Sequence, residues 1–245
     1  ATVKVGDGNE ISLHEQTNYP FEETIRFTVN TPKAVSFPFY LRIPSWTEGA
    51  TIFVNGKKVA ANPEAGQYAC INREWKDNDQ VEIQLPMQLS MRTWQVNKNS
   101  VSVDYGPLTM SLKIDEDYVK KDSRATAIGD SKWQEGADAS QWPTYEIYAK
   151  TPWNYALVLG KNEPLKDFKV VHKEWPADNF PFTVASTPIE VKAIGCKVPS
   201  WVIDQYDLCS ELPEMDAPKG EKEEITLIPM GAARLRVSAF PNTRE

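Results

Sequence analysis

Between Phe37 and Gly56 the residues alternate, and that alternation limits what the chain can fold into. Phe37, Phe39, Leu41 and Ile43 fall on one phase, with Pro38, Tyr40 and Arg42 on the other. A period of two over this length describes a strand with one face buried and one exposed, as in antiparallel sheets. Pro44-Ser45-Trp46 and Glu48-Gly49 interrupt the pattern, after which Ala50, Ile52 and Val54 resume it and Asn55-Gly56 ends it. Asn-Gly supplies the positive φ values of a two-residue hairpin, so Lys57 to Val59 are expected to pair back. The two runs are expected to be strands of one sheet joined by the Trp46 loop.

The same style continues along the chain. Val3–Val5 and Ile11–Leu13 flank a Gly6-Asp7-Gly8-Asn9 turn, Thr24–Val29 alternates with Ile25, Phe27 and Val29 inward, and Gln67–Ile71 and Gln80–Leu85 follow. The pattern restarts at Val101, Val103 and Tyr105, passes Gly106-Pro107, and continues through Leu108, Met110 and Leu112. Later strand candidates are Tyr145–Ala149, Tyr155–Leu159, Phe168–His172 and Ile189–Ile194, with Ile225–Ile228 and Arg234–Ala239 as a closing pair. No apolar pattern of period 3.6 lasts three turns, and 18 prolines punctuate the chain, so helix is expected to be minor. The fold class is all-β: two antiparallel β-sandwich, jelly-roll-like domains in tandem, residues 1–95 and 96–245. Long loops are expected near 115–140 and 204–224, where the sequence is polar, charged and aperiodic.

With 245 residues there is chain enough for two cores. No apolar run approaches the roughly 20 residues of a membrane helix. The first residues lack the basic start and apolar block of a secretory signal, although one could precede them, so the compartment is open between cytoplasm and cell envelope. A net charge of −7 with scattered Lys and Arg opposes a nucleic-acid partner. Three cysteines, Cys70, Cys196 and Cys209, have no CxxC spacing, and the only histidines are His14 and His172. Neither a disulfide framework nor a metal centre is indicated, so the metal assignment for this chain is none.

FPFYLRIPSW, VNGKKV, REWKDNDQVEIQLPM, the Gly-Pro-Leu of VDYGPLTMSL and ITLIPMGAARLRVSAF occur in this order. Together they resemble the C-terminal β-sandwich region of the bacterial β-L-arabinofuranosidase family of glycoside hydrolases, and YPFEETIRFTV upstream fits the same region. In that family, the resemblance implies, an N-terminal helical α/α barrel carries catalysis with a glutamate and a cysteine cluster, including an adjacent Cys-Cys pair, that binds zinc. None of the three cysteines here matches that motif, so no catalytic residue carries over. One departure is VDYGPL, where relatives more often have a basic residue before the Gly-Pro-Leu. The resemblance implies an accessory, non-catalytic region whose partner is the barrel and whose parent uses zinc.

Three readings follow: that accessory region, an autonomous carbohydrate-binding module, and an enzyme using paired carboxylates on a sandwich. Trp46 and Trp75 read as core packing. Trp133 and Trp142, in the long loop, are candidates for carbohydrate binding. Tyr19 and Phe21 in an aromatic corner, with Tyr40 and Phe53 on the off-core phase of their strands, are candidates for one patch that docks the barrel. Asp77, Asp79, Glu221, Glu223 and Glu224 read as solvated turn charges, and Asp115-Glu116-Asp117 as a solvated loop without a calcium-binding pattern.

Overall fold

The computed structural model describes residues 1–60, 64–123, 138–206 and 208–244. It is all-β: the described residues form mainly antiparallel sheets, two single-turn 3₁₀ segments and no α-helix. Among them no helix is long and apolar enough to cross a membrane. The chain divides into two compact units, one of residues 1–90 with 104–108, the other of 91–103 with 109–245.

In the first unit β1 (Thr2–Val5), β2 (Asn9–Thr17), β3 (Thr24–Asn30), β4 (Val35–Arg42), β5 (Thr51–Val54), β6 (Lys57–Lys58), β7 (Tyr68–Trp75) and β8 (Asp79–Gln84) make two sheets. One has the order β1-β2-β3-β8-β5-β6, and the other is the pair β4-β7. The alternation read from sequence is the burial pattern of β4, in which Val35, Phe37, Phe39 and Leu41 are buried and Ser36, Pro38, Tyr40 and Arg42 exposed. These residues share a core with Ala69, Ile71 and Trp75 of β7 and with Ile52, Val54, Val81 and Ile83 of the larger sheet. The unit is therefore a sandwich, two one-sided sheets closed on each other's apolar faces.

The central pair of strands departs from the single-sheet expectation. β4 pairs with β7, whereas β5 pairs with β6 and β8. The Trp46 loop thus crosses from one layer to the other. Asn55 and Gly56 have φ of 50° and 74°, and Val54 lies opposite Lys57, as a tight hairpin requires. Asp79 is buried, not solvated: its carboxylate accepts from Asn55 Nδ2 at 2.8 Å and the Lys76 N–H at 2.9 Å. Burial raises the Asp79 carboxyl, but those two hydrogen bonds and the Arg73 and Lys76 charges outweigh it and hold the group below its ordinary 3.8. The side chain ties the turn before β8 to the β5–β6 hairpin.

Gly106 belongs to the first unit and has φ of 54°. A Cβ there would lie 2.6 Å from Met87 Cγ and 3.1 Å from Met87 Cβ. Those atoms are the stem of the side chain, so relief requires a new Met87 rotamer or a backbone shift. We expect Gly106→Ala to destabilise this unit by about 2 kcal/mol, from φ strain and overpacking together. A urea titration of the full chain checks it, and an unchanged midpoint would contradict the close approach.

The second unit is built on an eight-stranded sheet. Its strands are β9 (Leu89–Trp94), β10 (Ser100–Tyr105), β11 (Leu108–Leu112), β14 (Tyr155–Leu159), β15 (Lys169–His172), β16 (Ile189–Lys197), β17 (Lys222–Pro229) and β18 (Asn242–Arg244). The order is β18-β14-β16-β17-β11-β10-β9, with β15 also on β16. A separate antiparallel hairpin is formed by β12 (Glu116–Lys121) and β13 (Thr144–Ala149). β12 lies where a loop was expected. Its sequence EDYVKK has charges on both phases, and the cross-strand ion pairs Lys121–Glu146 and Lys150–Asp117 satisfy them. The closing pair also differs. Residues 234–239 form no strand; β17 pairs with β16 and β11, and the last strand, β18, runs parallel to β14. Glu223 and Glu224 therefore lie on a strand, with Glu223 paired to Lys197 at 3.0 Å.

One surface of the large sheet is apolar at one end, where Ala156, Val158, Cys196, Val198 and Trp201 cluster. Toward its middle sits Glu190, only 7% exposed. Its Oε1 accepts from Lys113 Nζ at 3.0 Å and Lys173 Nζ at 3.3 Å.

Candidate functional site

The expected site residues do not converge. Phe21 is 4% exposed and belongs to the core, while Tyr19 is 40% exposed beside it. Tyr40 is on the outer face of the β4–β7 layer, 61% exposed, opposite Cys70. Phe53 is on the outer face of the other layer, opposite Glu82, which pairs with Arg26 at 2.8 Å. Two residues on opposite faces of one sandwich and a third in its core cannot form one patch. They share the off-core phase of their strands, but β4 and β5 belong to different sheets. Trp142 is 67% exposed, and Trp133 lies outside the described residues. Trp75 is fully buried and Trp46 packs against the same core.

Two clefts in the second unit collect groups that can bind. The larger, about 940 Å³, is lined by Trp153, Trp201, Cys209, Leu212, Leu235 and Val237 among others. Trp153 and Trp201 meet edge to face, 5.1 Å between centroids. Trp201 is pinned by Nε1–H donating to the Ser210 carbonyl at 3.1 Å, and Asn154 Nδ2 donates to the Val198 and Trp201 carbonyls. Burial pushes the Cys209 thiol above its ordinary 9.0 against an opposing hydrogen bond with Trp201. A raised thiol is protonated at neutral pH and is a poor nucleophile.

The smaller cleft, about 610 Å³, is lined by Asp115, Glu116 and Tyr118 at the start of β12, Lys150 at the end of β13, Phe182 and Arg234. Glu116 is its organising group. Oε1 accepts the Arg234 N–H at 2.7 Å and the Leu235 N–H at 3.2 Å, and Oε2 accepts the Tyr118 hydroxyl at 2.6 Å. That last bond raises the Tyr118 phenol above its ordinary 10.0, with smaller contributions from burial and the Glu116 charge. Glu116 thus holds residues 234–235 against the β12–β13 hairpin and fixes Tyr118. Both exposed rings of the cleft are backed by a second ring: Tyr118 by Tyr145 at 6.1 Å and Phe182 by Phe180 at 5.8 Å.

Sequence reasoning missed this cleft because its parts come from four separate stretches, around residues 115, 150, 182 and 234. The one available signal was Asn179-Phe180-Pro181-Phe182, two aromatics in a proline-bearing loop with no strand to bury them. Among the described residues no three of His, Cys, Asp and Glu are placed to hold a metal ion. Cys196 is buried with Sγ 3.8 Å from the Ala156 carbonyl, whereas Cys70 and Cys209 are exposed on β7 and beside the larger cleft.

Residues 1–87 match a family model described as Beta-L-arabinofuranosidase, GH127 middle domain. No curated protein sequence matches the chain. A solved GH127 β-L-arabinofuranosidase from Geobacillus stearothermophilus T6 is 22% identical with a TM-score of 0.59, over 99% of this chain and 32% of its own. A structure described as a glycoside hydrolase is 22% identical at 0.59, over 99% and 34%. A GH127 β-arabinofuranosidase is 20% identical at 0.60, over 99% and 33%. At such identities the likeness is one of fold, and the chain spans about a third of the length of these solved relatives. The first 87 residues thus match the GH127 middle-domain model, and the chain as a whole shares the fold of one segment of the solved GH127 β-L-arabinofuranosidases.

Proposed function

We propose that this chain is a non-catalytic accessory β-sandwich region of a glycoside hydrolase, with a β-L-arabinofuranosidase-like parent whose catalysis resides in a helical barrel outside this stretch. The observation that carries the reading is the coverage: nearly all of this chain aligns with about a third of each GH127 structure. The chemistry of the described residues agrees. Glu116 and Glu190, the best-placed partly or fully buried carboxylates of the second unit, are committed to backbone N–H groups or lysines. Zinc, which the family resemblance implies for the parent, is assigned in this reading to the barrel and not to this chain. No step of catalysis is routed through this chain.

The barrel contact is assigned to the outer face of β4–β7. Tyr40 and Tyr68 are 61% and 65% exposed there, on residues that pair with Cys70 and Arg42 respectively. A helical domain making up the remaining length of the parent is the occupant.

The purified chain should not turn over a chromogenic β-L-arabinofuranoside and should hold no stoichiometric zinc by metal analysis. The parent protein should do both. Turnover by the chain alone, abolished by substituting one of its own residues, would overturn the accessory reading. The Tyr40→Ser/Tyr68→Ser pair should lower the melting temperature of the parent while leaving that of the isolated chain unchanged.

A further inference from the structure

We infer that the cleft around Glu116 is a binding site for a neutral saccharide, taken as a single sugar ring of an oligosaccharide chain. This goes beyond the accessory role and does not depend on it. Two kinds of group meet in the cleft. The first is aromatic: Tyr118 is 48% and Phe182 40% exposed, and each ring is held by a neighbour. A sugar ring presents apolar C–H bonds on its faces, and these pack on the electron-rich face of an aromatic ring. The backing rings and the Glu116 hydrogen bond fix the aromatics before a ligand arrives, which lowers the ordering cost of binding.

The second kind is a donor and an acceptor with nothing else to do. The other charges of the cleft are engaged: Lys113 with Glu190, Lys150 with Asp117, and Glu116 with two backbone N–H groups and Tyr118. Among the described residues the Asp115 carboxylate and the Arg234 guanidinium have no hydrogen-bond or ion-pair partner, although both line the cleft. A carboxylate only accepts and a guanidinium only donates. Vicinal hydroxyls do both, so a sugar in the cleft has groups to donate to Asp115 and to accept from Arg234. A carboxylated sugar would satisfy Arg234 but face Asp115, which favours the neutral ligand. A volume of about 610 Å³ lies within the range of small-molecule sites.

The test titrates the full chain with xylohexaose, cellohexaose and α-1,5-arabinohexaose, and with hexagalacturonate as the acidic comparison, by isothermal calorimetry and ligand-observed NMR. At least one neutral hexasaccharide should bind in the micromolar to millimolar range and more tightly than hexagalacturonate. Phe182→Ala and Asp115→Ala should each weaken it about tenfold, one stacking or hydrogen-bond contact being worth roughly that factor. Phe182→Tyr should keep it, and Tyr206→Ala, 72% exposed and outside the cleft, should leave it unchanged. Circular dichroism of each variant should match the unsubstituted chain. No binding of any neutral hexasaccharide at 10-fold excess over about a millimolar, tighter binding of hexagalacturonate, or neutral binding that survives Phe182→Ala combined with Asp115→Ala would each overturn the assignment. None of these outcomes bears on the arabinofuranosidase assay, so the accessory reading stands or falls separately.

Discussion

Replacing Trp75 with alanine should cost the first unit about 3–5 kcal/mol, the range for deleting a fully enclosed large aromatic. Trp75 is wholly buried, and its ring lies 5.6 Å from Phe37 and 5.7 Å from Phe39. Two aromatic side chains, Phe37 and Phe39, therefore lose packing at once. The indole N–H donates to the Phe37 carbonyl at 2.9 Å, so the substitution also leaves a buried acceptor unsatisfied. Arg73, whose guanidinium carbon sits 5.0 Å over the ring, loses its cation–π surface. In urea, with m of about 2 kcal/mol/M, the midpoint of the first unit should fall by about 2 M. Hydrogen exchange along β4 and β7 reads that unit separately from the second. Trp75→Phe retains the stacking but not the hydrogen bond and should recover more than half of the loss. A midpoint shift under about 0.5 M for the alanine variant would mean that β7 is not closing the core.

The contrast between Trp75 and Tyr40 shows which part of this fold is legible in sequence. Whether a residue faces in or out is local information, because side chains on a strand alternate with a period of two and one face of each sandwich layer is dry. Phe37, Phe39, Leu41, Ile52 and Val54 were placed correctly for that reason. Which strand lies beside which is not local. β4 finds β7 some thirty residues away, while β5, next in sequence, joins the other layer. That choice is made by the closure of the whole sandwich, so Tyr40 and Phe53 were grouped when they lie on opposite faces. β12 was missed for a different reason: Glu116 to Lys121 stands on a two-stranded hairpin with cross-strand ion pairs in place of an apolar face, and it leaves no alternation to read. The cleft between Glu116 and Arg234 joins residues 118 apart, beyond the reach of any motif.

Glu190 is the clearest case of a buried charge hidden by its residue type, since a glutamate between Ile189 and Val191 reads as the solvent phase of a strand. Its removal should have the second large effect. In the folded state Lys113 and Lys173 donate to it and Lys192 stands 4.0 Å away. Burial pushes its carboxyl up, but the Lys113 and Lys173 hydrogen bonds and charges prevail and hold it below the ordinary 4.5. Glu190→Gln leaves three ammonium groups facing one another without their anion. Because each lysine remains about a third exposed and can regain water, the expected cost is about 1–3 kcal/mol, less than the loss of a fully dry ion pair. The sign of the pH dependence follows from the depressed carboxyl. A folded pKa below the unfolded one stabilises the protein fully above the unfolded value, and the contribution is lost as pH falls through the folded value. The gap between the wild-type chain and Glu190→Gln should therefore be widest at neutral pH, narrow below about pH 5, and close once both carry a neutral side chain at position 190. Paired urea titrations at pH 7 and pH 3 measure it. A gap that stays constant between those pH values would show that glutamine fails for reasons of packing, and that the lysines do not depend on the charge of Glu190.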